Sequence, residues 1–444
     1  MPETTALDSE YLKTNYPCYS QESRKFSMQS RSRSKYRDFS WDFRTADTKA
    51  DTHCYHNYPA MMIPQVAERL IARYASNAKT LFDPYCGTGT SLVEANLKSI
   101  NAYGTDLNPL ARLIARAKTT RIKLQVLDLY LKEFQEFLFA LNFELKNFSV
   151  TLPEFHNIDF WFKPQTKEKL AIVKGFIDAI EDKNVQEFFL IAFSETVRES
   201  SLTRNGEFKL YRMSKIKREK FNPDVCSIMT AKLSRNHKGL QSYLLKTKNI
   251  SATTNIYDFN SARDISAIEK DSMDIVVTSP PYGDSKTTVA YGQFSRLANQ
   301  WLGISDANQV DNQLMGGKIK EIGKTGIGIV DSIVEKIARQ DLKRAQAVYS
   351  FYDDYIKSIA NVVGVVKRGA YICYVVGNRR VKDIKLPTDE ITKSVFEHHG
   401  VEYQNTFIRA IPNKRMPGRN SPTNKAGSIS ATMTNEYIVV MQKH

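Results

Sequence analysis

The sequence predicts an α/β fold around a mainly parallel sheet, and three stretches carry that expectation. Thr80-Leu-Phe-Asp83 leads into a Gly87-Thr-Gly89 turn and then into the helical pattern Ser91-Leu92-Val93-Glu94-Ala95, so strand, tight turn and helix follow one another. Asp274-Ile-Val-Val-Thr278 and Ala370-Tyr-Ile-Cys-Tyr-Val-Val-Gly377 are continuously apolar and largely β-branched or aromatic, which suits strands covered on both faces.

The remaining elements follow in chain order. Val66, Leu70, Ile71 and Tyr74 recur at helical spacing just before the first strand. Asn101-Ala-Tyr-Gly-Thr-Asp106 reads as a second short strand ending in an acid, followed by a helix opening at Pro109. Leu127, Leu131, Phe134, Leu138 and Leu141 begin a helical stretch, and Val185 to Val197 give another apolar helix. Thr254-Asn-Ile-Tyr-Asp258-Phe259 closes a further short strand, and helices are expected at 291–302 and 327–366, with Gly316, Gly317, Gly323, Gly326 and Gly328 between them. Tyr437 to Met441 supplies a closing strand. Four regions result: a flexible basic arm over 1–40, a first core segment over 41–120, a mostly helical insert over 121–250, and a second core segment over 251–444.

Composition bounds the class. A chain of 444 residues with 42% hydrophobic and 11% aromatic content can bury a full α/β core and carry a second unit. Five scattered cysteines give no disulfide framework, no apolar leader opens the sequence, and no run of about 18 apolar residues occurs. The expected setting is a reducing, cytoplasmic one. His53, Cys54 and His56 lack the paired spacing of a zinc module, so no metal is expected. The net charge of +15 is concentrated: residues 200–250 hold twelve Lys and Arg against three acids, or +9. That density suits a polyanion.

The chemistry is carried by Ser279-Pro280-Pro281-Tyr282 at the end of the apolar strand. Two prolines stiffen the backbone and leave carbonyls without internal partners. A hydroxyl and an aromatic ring then stand side by side. This set suits an exocyclic base amine, whose lone pair is delocalised until acceptors such as Ser279 and the Pro280 carbonyl draw its hydrogens out of plane. Tyr282 would stack on a base turned out of the duplex. The motif resembles the catalytic tetrapeptide of amino-methylating DNA methyltransferases, and Ser-Pro-Pro-Tyr is typical of the N4-cytosine type within site-specific restriction-modification systems.

That resemblance implies a class I S-adenosylmethionine-dependent methyltransferase fold, a Rossmann-like, seven-stranded, mainly parallel sheet with an inserted, mostly helical DNA-recognition region. It implies S-adenosylmethionine as cofactor and double-stranded DNA as partner, with a cognate restriction endonuclease alongside. The glycine loop resembles the cofactor loop, placing Asp83, Pro84, Cys86, Gly87, Thr88 and Gly89 at the cofactor, with Asp83 near its amino-acid part. Tyr58 and Pro59 resemble the segment enclosing the methionine end. Asp106, with Leu107, takes the place of the acid that holds ribose hydroxyls, and Asp258 with Phe259 that of the adenine contact. DNA contacts are expected from Lys209, Arg212, Lys215, Lys217, Arg218 and Lys220, and from a basic loop over 409–425 that includes Arg409, Lys414, Arg415 and Arg419. Asn378, at the end of a core strand, is expected either in a turn or at the base or cofactor.

Other readings of the same residues stand beside this one. An N6-adenine methyltransferase shares every mechanistic element, although Ser279 disfavours it. An RNA guanine-N2 enzyme also uses a Pro-Pro-Tyr loop, and a non-catalytic DNA-binding subunit would keep the fold. A C5-cytosine enzyme needs a cysteine after proline on a sheet strand, and Pro17-Cys18 lies far before the glycine loop.

Overall fold

A computed structural model describes residues 34–143, 148, 150–284, 288–411, 419–420, 430–431 and 433–444. Its centre is an eight-stranded sheet made of β1 (Lys35–Arg37), β2 (Thr80–Asp83), β3 (Asn101–Thr105), β4 (Thr254–Tyr257), β5 (Met273–Thr278), β6 (Val366–Val376), β7 (Val401–Ala410) and β8 (Asn435–Lys443). The spatial order is β1-β7-β8-β6-β5-β2-β3-β4. Only β8 runs antiparallel to its neighbours β6 and β7. The expected seven strands are joined by β1, a short edge strand paired with β7. It comes from the last residues of the stretch read as an arm, while residues 1–33 lie outside the described set.

Strand order positions the site. β2 lies parallel to β3 on one side and to β5 on the other, with Phe82 facing Val276 in register. The chain therefore reverses its direction of winding between β2 and β5, and the crevice at the carboxyl ends of such strands is where ligands bind. Two loops 190 residues apart in sequence thus emerge side by side.

Alternation along the strands divides the core. Leu81, Ile275, Val277, Val375 and Ile438 face helices α1 (Pro64–Tyr74) and α2 (Thr90–Leu97), packing with Val66, Leu70 and Leu92. Phe82, Val276, Ile372, Tyr374 and Val439 face the opposite layer, built from α9 (Gly328–Ala338), α10 (Leu342–Val365) and α11 (Thr388–His398), with α3 to α8 named below. Ile275, Val276 and Val277 are each fully buried, as a central strand requires.

Between β3 and β4 the chain forms α3 (Pro109–Thr119), α4 (Leu124–Asn142), α5 (Pro164–Asp178), α6 (Lys183–Ser200) and α7 (Val225–Lys246). After β5 comes α8 (Tyr291–Trp301). Leu113 and Ile114 of α3, Phe134 of α4, Phe188 and Phe193 of α6, Leu240 of α7 and Trp301 of α8 share one apolar cluster. The helices before β4 are thereby tied to α8, the helix that follows the Ser-Pro-Pro-Tyr loop. The glycine-rich stretch between α8 and α9 is docked, not loose: the Gly316 amide donates to Asp354 at 2.9 Å, and Lys320 bridges Asp353 and Asp354 of α10. No helix among the described residues is long and apolar enough to cross a membrane.

Candidate active site

Asp83 ends β2 and ties three elements together. Its carboxyl accepts from Ser91 of α2, from Thr278 of β5 and from the Tyr85 amide. Burial raises its pKa to about 6 despite those donors. Gly87 and Gly89 adopt left-handed φ of +50° and +78°, the conformation glycine supplies without strain. Gly89 also permits close packing, since a Cβ there would lie 2.9 Å from Ala115 Cβ on α3.

Asp106, at the end of β3, is held by backbone. One carboxyl oxygen accepts from the Gly87 amide at 3.1 Å and the other from the Asn108 amide at 2.7 Å. Burial raises its pKa as well. Asn108 caps α3, and its side-chain amide donates to Tyr58 Oη at 2.8 Å and Ser295 Oγ at 3.0 Å. Tyr58 in turn stacks on Tyr291, with centroids 6.0 Å apart.

These groups enclose one cavity. Of the expected residues, Tyr58, Pro59, Asp83, Pro84, Cys86, Gly87, Thr88, Asp106, Leu107, Phe259, Ser279 and Pro281 line it. The same wall includes Asn108, Tyr291, Leu314 and Met315, which the sequence reading did not single out. Gly89 is not on the wall; it packs the loop against α3. Asp258 is not there either: its side chain is 79% exposed and faces Arg112 at 3.9 Å, while Phe259, Asn260 and Ser261 turn inward.

The Ser279–Tyr282 tetrapeptide is divided between the cavity and a buried support. Pro280 is buried, and Ser279, Pro281 and Tyr282 are half-buried. Tyr282 Oη donates to Glu436 Oε1 at 2.9 Å and lies 3.3 Å from Ser279 Oγ. Glu436, on β8, is held by Arg409 of β7, whose Nε donates to the Trp41 carbonyl at 2.8 Å. Gly377, just past β6, makes room for the ring, because a Cβ there would come within 2.8 Å of Tyr282 Cδ2. Desolvation and the Glu436 charge hold the Tyr282 phenol well above its ordinary pKa. Arg409 was expected among phosphate contacts; it is 4% exposed and committed to Glu436. Asn378 turns to α11, donating to Asp389 at 2.8 Å.

The basic stretch stands beside this loop. Residues 202–213 fold back on themselves through Arg204 N to Tyr211 O and Met213 N to Leu202 O. Arg198 fixes the bend to α8 by donating to the Phe294 and Glu207 carbonyls, and the Leu210 amide donates to Gln293. Arg212 lies over the Phe160 ring, 4.0 Å from its centroid. Lys215, Lys217 and Lys220 are exposed on a short helix, while Lys209 and Arg218 are half-buried. Lys414 and Arg415 lie outside the described residues, and Arg419 is described only through its backbone pairing with Ala431. Among the described residues, no group of three or more His, Cys, Asp or Glu side chains converges as metal ligands.

Known proteins give this geometry a context. A family model described as DNA methylase matches residues 5–116. The chain is 42% identical over 427 residues to the type II methyltransferase M.MvaI of Kocuria varians, covering 90% of this chain and 93% of that one. It is 28% identical over 145 residues to the type II methyltransferase M.MjaII of Methanocaldococcus jannaschii, covering 31% and 27% of the two chains. A solved rRNA methyltransferase, aviRa from Streptomyces viridochromogenes, aligns over 87% of this chain and 88% of its own at 11% identity, with a TM-score of 0.31. So loose a likeness carries no weight. The identity to M.MvaI over nine-tenths of the sequence decides the matter: the chain belongs to the type II DNA methyltransferases of the N4/N6 amino-methylating family, which take their methyl group from S-adenosylmethionine.

Proposed function

We propose that this enzyme methylates N4 of a cytosine turned out of duplex DNA at a specific sequence. The observation that carries this reading is Ser279, which heads the Pro-Pro-Tyr loop and lines the cavity beside the glycine loop. S-adenosylmethionine, when bound, supplies an electrophilic methyl on a sulfonium. The chain's own residues hold and orient the reactants. Asp106 would accept from the ribose hydroxyls, Phe259 and Leu107 would border the adenine, and Tyr58 and Pro59 would enclose the methionine end. The fit rests on an acid whose two oxygens are already fixed by backbone amides and still border the cavity.

On the other side of the methyl group, the Ser279 hydroxyl and the Pro280 carbonyl accept from the cytosine amine. Its nitrogen thereby regains a lone pair aimed at the methyl. Tyr282 stacks on the base that leaves the helix. Transfer would be direct and in line, without a covalent enzyme intermediate: the methyl carbon–sulfur bond would break as the carbon–nitrogen bond forms, S-adenosylhomocysteine would leave, and the amine would give up one proton to solvent, with the rate coming chiefly from positioning and exclusion of water. Lys209, Arg212, Lys215, Lys217, Arg218 and Lys220 take the phosphates. The setting is cytoplasmic, with a cognate endonuclease cutting the same unmethylated site.

The test is product identity. Duplex DNA incubated with the protein and labelled cofactor, then digested to nucleosides, should carry its label in N4-methyldeoxycytidine. Label found only in N6-methyldeoxyadenosine would assign the chain to the adenine branch and overturn the role given to Ser279.

A further inference from the structure

Lys118, in the last turn of α3, is fully buried. Among the described residues its hydrogen-bond partner is Thr88 Oγ1, at 3.3 Å. The titratable and charged groups facing it are Lys49, His53, Cys54 and His56. None of these is an anion, and His53 is taken up by Glu94 at 2.8 Å. A buried ammonium without a counter-ion is costly and is rarely kept without a use. Thr88 itself lies between Gly87 and Gly89 and borders the cavity, so Lys118 stands directly behind the cofactor loop.

We infer that Lys118, which does not itself line the cavity, is a positioning residue for the carboxylate at the amino-acid end of S-adenosylmethionine, donating to the Thr88 oxygen so that the Thr88 hydroxyl donates to the carboxylate, and placing a positive charge behind it. Cofactor binding is then linked to a proton. In the free protein, burial and the Lys49 charge lower the Lys118 pKa to about 7. A carboxylate brought alongside favours the charged form and raises the pKa again. At pH 8 binding therefore takes up a proton, and affinity for a carboxylate-bearing ligand falls as pH rises above about 7. Asp83, raised to about 6, titrates on the acid side of that window.

The experiment is calorimetric titration of wild type and Lys118→Met with two probes. S-adenosylhomocysteine carries the carboxylate, and 5′-deoxy-5′-methylthioadenosine lacks the whole amino-acid end. The variant is expected to bind the first about tenfold more weakly and the second within about twofold of wild type. Its melting temperature without ligand should equal or exceed that of wild type, because an unpaired buried cation has been replaced by an apolar chain of similar length. Unchanged affinity for S-adenosylhomocysteine, or equal weakening of both probes, overturns the assignment. Wild type alone gives a second test. At pH 8 the binding heat of S-adenosylhomocysteine, measured in two buffers of different ionisation enthalpy, should report proton uptake that Lys118→Met lacks. Equal heats in wild type would overturn the inference.

Discussion

Asp106 and Gly87 meet across 19 residues of sequence, through a backbone amide and a carboxylate. Tyr282 reaches Glu436 across 154 residues, through side chains alone. The first arrangement belongs to the wall proposed to hold the cofactor, the second to the loop proposed to face the base. The Gly87–Asp106 part of the cavity wall is therefore set by local backbone geometry where β2 and β3 pair. The base-facing loop depends on strands β7 and β8 arriving from the far end of the chain. Such a loop can be detuned by changes that leave the cofactor site intact.

Ser279→Ala removes the hydroxyl proposed to accept from the target amine and should lower the methyl-transfer rate about 10²-fold or more, with cofactor affinity unchanged. A comparable loss of cofactor affinity in a binding titration would break the separation between the two regions. Reversing Lys209, Lys215 and Lys217 to Glu should weaken duplex binding about tenfold or more and reduce the slope of log affinity against log salt by nearly three. An unchanged slope would mean that these cations only face solvent.

Much of the cavity wall was legible because its signals are local. Gly87, Asp106 and the strand ending at Asp83 each need only neighbouring residues to be read. Asp258 misled because the chain turns after β4, so Phe259 and not the acid points inward. The Glu436 and Arg409 support left no trace, since no spacing rule joins residues on β7 and β8 to a loop after β5. Arg409 reads as part of a basic loop until β7 buries it. Lys118 looks like an ordinary cation favouring a helix end, and only the packing of α3 behind the glycine loop removes it from water.

Smaller effects sharpen the account of the cofactor wall. Gly89→Ala should cost about 1–3 kcal/mol of stability, because the left-handed φ and the 2.9 Å approach to Ala115 both resist a Cβ. A melting temperature equal to wild type would show that α3 yields easily. Asp83 gives a pH signature. Its folded pKa of about 6 lies above the ordinary carboxyl value of 3.8, so the protonated form favours the folded state. That contribution is present below about pH 4 and is lost as pH rises through about 6. Asp83→Asn stays neutral, so its denaturant-measured stability should fall less than that of wild type across this window. Parallel curves would place the Asp83 titration elsewhere.

The most direct test of the contrast is a paired measurement on Glu436→Ala: the dissociation constant for S-adenosylhomocysteine and the single-turnover rate of methyl transfer at saturating cofactor. With Tyr282 released from β8, the rate should fall about tenfold or more while the dissociation constant stays within about twofold of wild type. An unchanged rate, or a rate loss matched by an equal loss of cofactor affinity, would contradict the claim that remote strands hold the base-facing loop independently of the cofactor wall.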